Sequence, residues 1–172
     1  MKPNDKTSPK IIQGRLMVAL SVLAVSAAGT QRQAWGAALV CTPIDFGTFS
    51  PCPTTAGTVT VSPAGVTTPS PGCLTQLGAG KRAQCLLTGE TGVRVITASS
   101  PITLNSGGNS MTVNAFLFSA DTPPLGPVPT LTATVGSSSP VLNFYVGATL
   151  NINAAQAGGS YTGTYTITTN NP

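Results

Sequence analysis

Residues 143–153 read Asn-Phe-Tyr-Val-Gly-Ala-Thr-Leu-Asn-Ile-Asn. Every second side chain is apolar along this stretch, namely Phe144, Val146, Ala148, Leu150 and Ile152. Strict alternation predicts a β-strand, because successive side chains of a strand point to opposite faces. One face is therefore expected against a core and the other toward water.

The rest of residues 39–172 has the same character. Thr, Val, Ser, Gly, Pro and Asn dominate, and no helical periodicity is present. Shorter strands are predicted at Ile44–Phe49, Gly57–Ser62, Ala83–Thr88, Val93–Thr97, Ile102–Leu104, Met111–Phe118, Thr130–Val135 and Ser160–Thr168. Segment 121–129 contains four prolines and predicts a loop, since no central strand would tolerate it. Eight or nine short strands at near-regular spacing predict an all-β fold, an antiparallel β-sandwich.

The formal net charge of +4 lies in the N-terminal segment. Residues 1–38 carry five basic residues and one acidic residue, whereas residues 39–172 carry three of each. The neutral body lacks the clustered Lys and Arg that nucleic-acid binding needs. Residues 16–29 form an uncharged apolar run of 14, short of the roughly 20 that a membrane-spanning helix needs. A basic start and a short apolar run followed by small residues predict a secretory signal peptide.

Small residues permit signal cleavage after Ala28, Gly36 or Ala38. We expect a signal peptide of residues 1–36, because a cut at 36–38 leaves a polar stretch between the apolar run and the cut. A single β-sandwich domain of residues 39–172 would follow, with no N-terminal extension long enough to act as a donor strand.

The alternative cut, after Ala28, would leave residues 29–40 as an extension. Its side chains alternate weakly, through Trp35, Ala37 and Leu39. Such an extension would be a modest candidate for a strand donated to another chain.

The four cysteines, Cys41, Cys52, Cys73 and Cys85, predict two disulfides, because their even count follows an export signal. The chain has no Cys-x-x-Cys pair and no histidine, which argues against a zinc site or a catalytic cysteine. Spacing alone leaves three pairings open. The expected location is outside the cytoplasm: the periplasm, the cell surface or the medium.

Six stretches follow one another in a recognisable order: Ile44–Phe49, Gly57–Gly65, Thr88–Gly92, Met111–Asn114, Val146–Ile152 and Gln156–Thr168. Their succession resembles a bacterial exported family known as domain of unknown function 4402, over nearly all of residues 44–168. The outline is also similar to spore coat protein U and to chaperone–usher pilins. The resemblance implies an incomplete immunoglobulin-like, pilin-like sandwich, completed by a strand from a neighbour or a chaperone.

In such pilins a disulfide joins the first strand to the second. The resemblance therefore implies the nested pairing, with Cys41 bound to Cys85 and Cys52 bound to Cys73. The pilins also carry a Gly-x-Tyr strand at the end of the chain. The matching candidate assembly strand here is the last predicted one, with Tyr161, Gly163, Tyr165 and Ile167 on one face.

Little in the body suggests catalysis. Its only carboxylates are Asp45, Glu90 and Asp121, which we expect at a strand end, in a hairpin turn and at the start of a loop. Without a visible general base or nucleophile arrangement, we expect neither an enzyme nor a bound cofactor or metal. Lys81-Arg82 is expected to be a solvated turn, and the tyrosines are expected to pack across strands.

We therefore expect an exported structural or assembly protein, a pilin-like or coat-like subunit at the bacterial cell surface. Its low net charge permits association, and its partners would be further copies or a periplasmic chaperone. It would contact the membrane only during export. The alternative is a monomeric extracellular binding module for a ligand such as carbohydrate, using the 121–129 loop and exposed tyrosines.

Overall fold

The computed structural model describes residues 12–16, 37–121 and 125–172, with side chains from 37 to 121 and from 127 to 172. These residues form 15 strands. Their bounds are β1 Ile12–Leu16, β2 Ala38–Cys41, β3 Asp45–Ser50, β4 Gly57–Val61, β5 Thr67–Ser70, β6 Thr75–Gly78, β7 Ala83–Thr88, β8 Gly92–Ala98, β9 Ile102–Ser106, β10 Asn109–Ala120, β11 Leu125–Val128, β12 Leu131–Val135, β13 Val141–Ile152, β14 Gly159–Gly163 and β15 Ile167–Asn170. Among the described residues, none belongs to a helix with the length and hydropathy needed to cross a bilayer.

Twelve strands form one large sheet, in the order β2-β7-β13-β10-β9-β14-β1-β3-β6, with β4, β5 and β11 attached beside this path. The other three form a second sheet, β12-β8-β15. Every pair is antiparallel except β1 with β14, which is parallel. The predicted all-β fold with antiparallel sheets is confirmed, and its architecture is that of a sandwich.

Strand β13 lies at the centre of the large sheet. It pairs with β7 through 141–146, with β4 through 148–152, and with β10 along its other edge. All five of its predicted inward-facing side chains are buried. Ile96 and Leu131 of the second sheet join the same hydrophobic cluster, so both sheets cover one core. Burial of this shared apolar surface is the main force that holds the sheets together.

The structure has more strands than the eight or nine expected. The sequence pattern missed β2, β5 and β6, which have four residues each and are too short for a clear alternation. The Pro-rich segment was predicted as a loop, but it contains β11. This strand pairs only with β10, through two register positions, and such an edge position tolerates Pro127 because no neighbour needs its missing N–H.

The prediction of one continuous strand over Ser160–Thr168 is wrong. Strand β14 ends at Gly163 in the large sheet, and β15 begins at Ile167 in the second sheet. Gly163 fits closely against β9, since a Cβ there would lie 2.5 Å from the Thr103 carbonyl oxygen. The intervening residues carry the chain between the sheets, where the Tyr165 ring lies 5.2 Å from that of Phe116.

Two disulfides are present, Cys41–Cys85 and Cys52–Cys73, the nested pairing expected from the resemblance. Cys41 lies directly opposite Cys85 in the β2/β7 register, with 4.1 Å between the Cα atoms. The second bridge joins the segment after β3 to the segment before β6, at one end of that strand pair. Disulfides persist in oxidising compartments, so the chain belongs to an oxidising, exported environment.

Replacing Cys41 and Cys85 together with alanine should lower the free energy of unfolding by about 4 kcal/mol. The bridge spans 44 positions and restricts the unfolded chain accordingly. The matched change at Cys52 and Cys73, which spans 21 positions, should cost about 3 kcal/mol. Denaturant unfolding followed by circular dichroism measures both. A larger loss for the shorter loop would contradict this order.

Candidate strand-binding site

Strand β1 occupies an unusual place in the large sheet. It lies between β14 and β3, and it is the only described strand through which β3 and β6 join the hydrogen-bonded order of that sheet. We call the gap between Asp45–Ser50 and Gly159–Gly163 the β3/β14 slot. Adjacent strands lie about 4.8 Å apart, so the slot is about 10 Å wide, the width of one inserted strand.

The register across the slot is defined over the whole of β1. Parallel pairing runs from Ile12 opposite Gly159 to Leu16 opposite Gly163. On the other side Ile12 lies opposite Phe49, and the register shifts after Gly14. A strand in the slot therefore receives backbone hydrogen bonds from both neighbours along its length.

A buried polar network fixes the β14 wall of the slot. Tyr161, which is fully buried, donates its hydroxyl proton to the Ala157 carbonyl oxygen at 2.7 Å. The same hydroxyl oxygen accepts a hydrogen bond from the Gln156 side chain at 2.8 Å. The Gln156 amide also donates to the Ser110 carbonyl oxygen. These bonds connect β14 to the turn before it and to the start of β10.

The β3 wall is held by backbone contacts and by a disulfide. Asp45 exchanges two backbone hydrogen bonds with Lys81, and its carboxylate accepts a hydrogen bond from the Gly47 N–H at 2.8 Å. Gly47 has φ of 85°, the left-handed region that favours glycine. The resulting bulge lets both Phe46 and Phe49 face the core, and the Cys52–Cys73 bridge closes the far end of the strand.

The predicted assembly residues divide between two places. Tyr161 and Gly163 belong to the β14 wall, whereas Tyr165 lies after it and Ile167 starts β15 in the other sheet. The opposite wall was predicted as a strand, Ile44–Phe49, but not as part of an assembly site. No sequence signal identifies it, because the neighbours in a sheet are set by long-range pairing.

Most charged side chains of the body contact other residues. Glu90 and Arg94 form an ion pair at 3.0 Å, and the Arg82 guanidinium lies 3.5 Å from the centroid of the Tyr145 ring. Arg82 also donates a hydrogen bond to the Pro63 carbonyl oxygen. The prediction that Lys81 and Arg82 form a solvated turn therefore fits exposed Lys81 but not Arg82.

Asp121 accepts a hydrogen bond from the Tyr145 hydroxyl at 2.7 Å. That hydrogen bond raises the pKa of Tyr145 above its ordinary value. Tyr161 and Tyr165 are buried, so neither offers the exposed ring that a carbohydrate site would use. Within residues 37–121 and 127–172, no three His, Cys, Asp or Glu side chains cluster as metal ligands would.

The structure describes only part of the predicted signal peptide. Residues 17–36, which hold the apolar run except for Leu16 and the cut sites after Ala28 and Gly36, lie outside the described residues. Ala38 pairs with Thr88 as the first residue of β2, so a cut after Ala38 would shorten that strand. In addition, the alternative extension 29–40 is not wholly free to be donated, since its last three residues belong to β2.

These features define an exported-type, all-β domain with a slot for one strand in its main sheet. Residues 39–171 match the family model described as Domain of unknown function (DUF4402). The chain belongs to this family, and the predicted membership is confirmed. No curated protein and no solved structure matches the chain.

Two buried tyrosines provide a matched test of the β14 wall. Tyr161→Phe should lower the free energy of unfolding by about 1–2 kcal/mol, because it removes a buried hydroxyl that makes two hydrogen bonds. Tyr165→Phe should leave stability unchanged or raise it by about 1 kcal/mol, because its hydroxyl has no partner among the described residues. Urea unfolding compares the variants, and equal losses would contradict the network.

Tyr165 also predicts a dependence on alkaline pH. Burial raises the pKa of its hydroxyl above the ordinary value of 10.0. Above pH 10 the folded state therefore holds this proton more tightly than the unfolded chain, and the free energy of unfolding falls as the pH rises. Tyr165→Phe should reduce the fall by up to about 1.4 kcal/mol per pH unit. Urea unfolding above pH 10 measures the slope, and an unchanged slope would contradict the burial effect.

Proposed function

We propose that the protein is an exported structural subunit of the bacterial cell surface, pilin-like or coat-like, without catalytic activity. A strand from another polypeptide fills its β3/β14 slot and so builds it into an assembly. One observation carries this proposal: the slot is filled by residues 12–16, which belong to the segment predicted to be removed on export.

Removal of the predicted signal peptide during export would take β1 away from the slot. Residues 12–15 lie in the basic part of the predicted signal peptide, and Leu16 is the first residue of the apolar run. Basic residues that flank an apolar segment stay on the cytoplasmic side of the membrane, whereas the body is translocated. The exported domain therefore needs another strand to pair the edges of β3 and β14 and to cover Phe49 and Tyr161.

The surface chemistry supports strand addition. The slot walls carry one charged residue, Asp45, and the exposed side chains of β14 are Ser160 and Thr162. Proteins commonly use charged residues to block strand edges against addition, and few such residues are present here. Residues 39–172 also have no net charge, so electrostatic repulsion does not oppose association.

The slot should be detectable by photo-crosslinking in living cells. Benzoylphenylalanine placed at Ser160, beside the slot, should crosslink the exported protein to a second polypeptide. The same amino acid at Thr132, an exposed β12 position in the second sheet, serves as the matched control and should give little product. Immunoblots of intact cells, followed by mass spectrometry of the product, measure the result.

Two results would contradict the proposed function. The first is a protein that stays monomeric and uncrosslinked at both positions, with no surface fibre or coat. The second is an exported protein whose mass shows that residues 1–36 are retained and whose slot crosslinks only to Ile12–Leu16 of the same chain.

A further inference from the structure

The register of β1 shows how a strand sits in the slot. It runs parallel to β14 and antiparallel to β3. Position 12 lies opposite Phe49, and position 14 lies opposite Gly47 and Tyr161. Residues directly opposite one another in a sheet share a face, so positions 12, 14 and 16 of the inserted strand belong to the core side.

The other two positions belong to the outer face. Position 13 lies opposite Thr48 and Ser160, and position 15 lies opposite Asp45 and Thr162. The side chains of these four wall residues are polar and are half-buried or exposed. An inserted strand therefore needs apolar residues only at alternate positions, starting with the first.

The central position of the inserted strand, position 14, is confined on both sides. On the β3 side lies Gly47, where a Cβ would be 2.2 Å from the Gly78 carbonyl oxygen, so the backbone of residues 78–80 covers that flank. On the β14 side lies Tyr161, whose ring is fully buried and held by its two hydrogen bonds. We expect only a small residue to fit between these two walls without displacing one of them.

The fourth position of the inserted strand, position 15, lies opposite Asp45. Asp45 is half-buried, and its Oδ1 atom is oriented by the Gly47 N–H. It is the only charged residue in either wall of the slot. A basic residue directly across from it is favoured electrostatically, since opposite charges at facing positions stabilise strand pairs.

We propose that the slot selects a partner strand of the pattern apolar–any–small–basic–apolar, running parallel to β14. Residues 12–16, Ile-Gln-Gly-Arg-Leu, have this pattern, and no five-residue window in residues 29–172 has it. The occupant is therefore a strand of a different polypeptide and not residues 29–172 of a second copy. This inference rests on the proposed function and specifies the partner.

Peptide binding tests the pattern directly. The protein is purified from the extracytoplasmic fraction, its mass is checked for loss of the signal segment, and any bound strand is released by mild denaturant. A fluorescent peptide with the sequence of residues 9–19 is then titrated and followed by anisotropy. It should bind saturably. Its Gly14→Val version should bind about tenfold more weakly, the cost of overfilling a packed site.

Two further peptides complete the series. Gln13→Thr, at an outer position, should bind as well as the parent peptide. Arg15→Gln should bind about twofold to fivefold more weakly, and the difference should vanish in Asp45→Asn protein. This loss of coupling reports the facing charges and is not expected from a general change in stability.

The outcomes separate this inference from the proposed function. Equal binding by the parent and Gly14→Val peptides, or an Arg15 effect that persists in Asp45→Asn protein, would overturn the pattern. No binding by the parent peptide, with crosslinking from Ser160 to another protein in cells, would overturn the pattern and leave strand addition standing. Absence of both would overturn the proposed function itself.

Discussion

Backbone hydrogen bonding across the β3/β14 slot holds β3 and β6 in the large sheet. In the described part of the chain, the five residues of β1 form the only strand that pairs β3 and β6 with the rest of the large sheet, beside the isolated backbone bridge of Asp45 with Lys81. Unpaired N–H and C=O groups at the two edges would otherwise face each other across a gap that is too wide for direct bonding. Since β3 supplies Phe46 and Phe49 to the core, the filler strand also ties these two core residues to the large sheet.

The walls of the slot are built by contacts that do not involve the filler. One wall is fixed by the hydrogen bonds of Gln156 and Tyr161, and the other by the Asp45–Lys81 backbone pair and the Cys52–Cys73 bridge. Such preorganisation lowers the conformational cost of receiving a strand. Under the proposed function, both walls are therefore held in place independently of the inserted strand.

The alternation of apolar and polar residues predicted those strands in which it runs without interruption. The clearest is β13, whose inward side chains are buried as expected. The same pattern could not predict bulges, because one inserted residue reverses the alternation. In β10, Ala115 has φ of 49°, and the register shift beside it brings both Phe116 and Phe118 into the core. The sequence predicted the β14 wall of the candidate site through Tyr161 and Gly163. It did not predict that β3 forms the other wall, because the place of β3 beside the slot depends on residues distant in sequence.

Under the proposed function, a foreign strand lies between β3 and β14 in the exported protein. The most direct test is the structure, by cryo-electron microscopy or crystallography, of the protein isolated from the bacterial surface without denaturation. We expect density for one strand between Asp45–Ser50 and Gly159–Gly163, parallel to β14 and traceable to another polypeptide. A gap closed by direct β3–β14 pairing, or filled by Ile12–Leu16 of the same chain, would contradict the presence of a foreign strand.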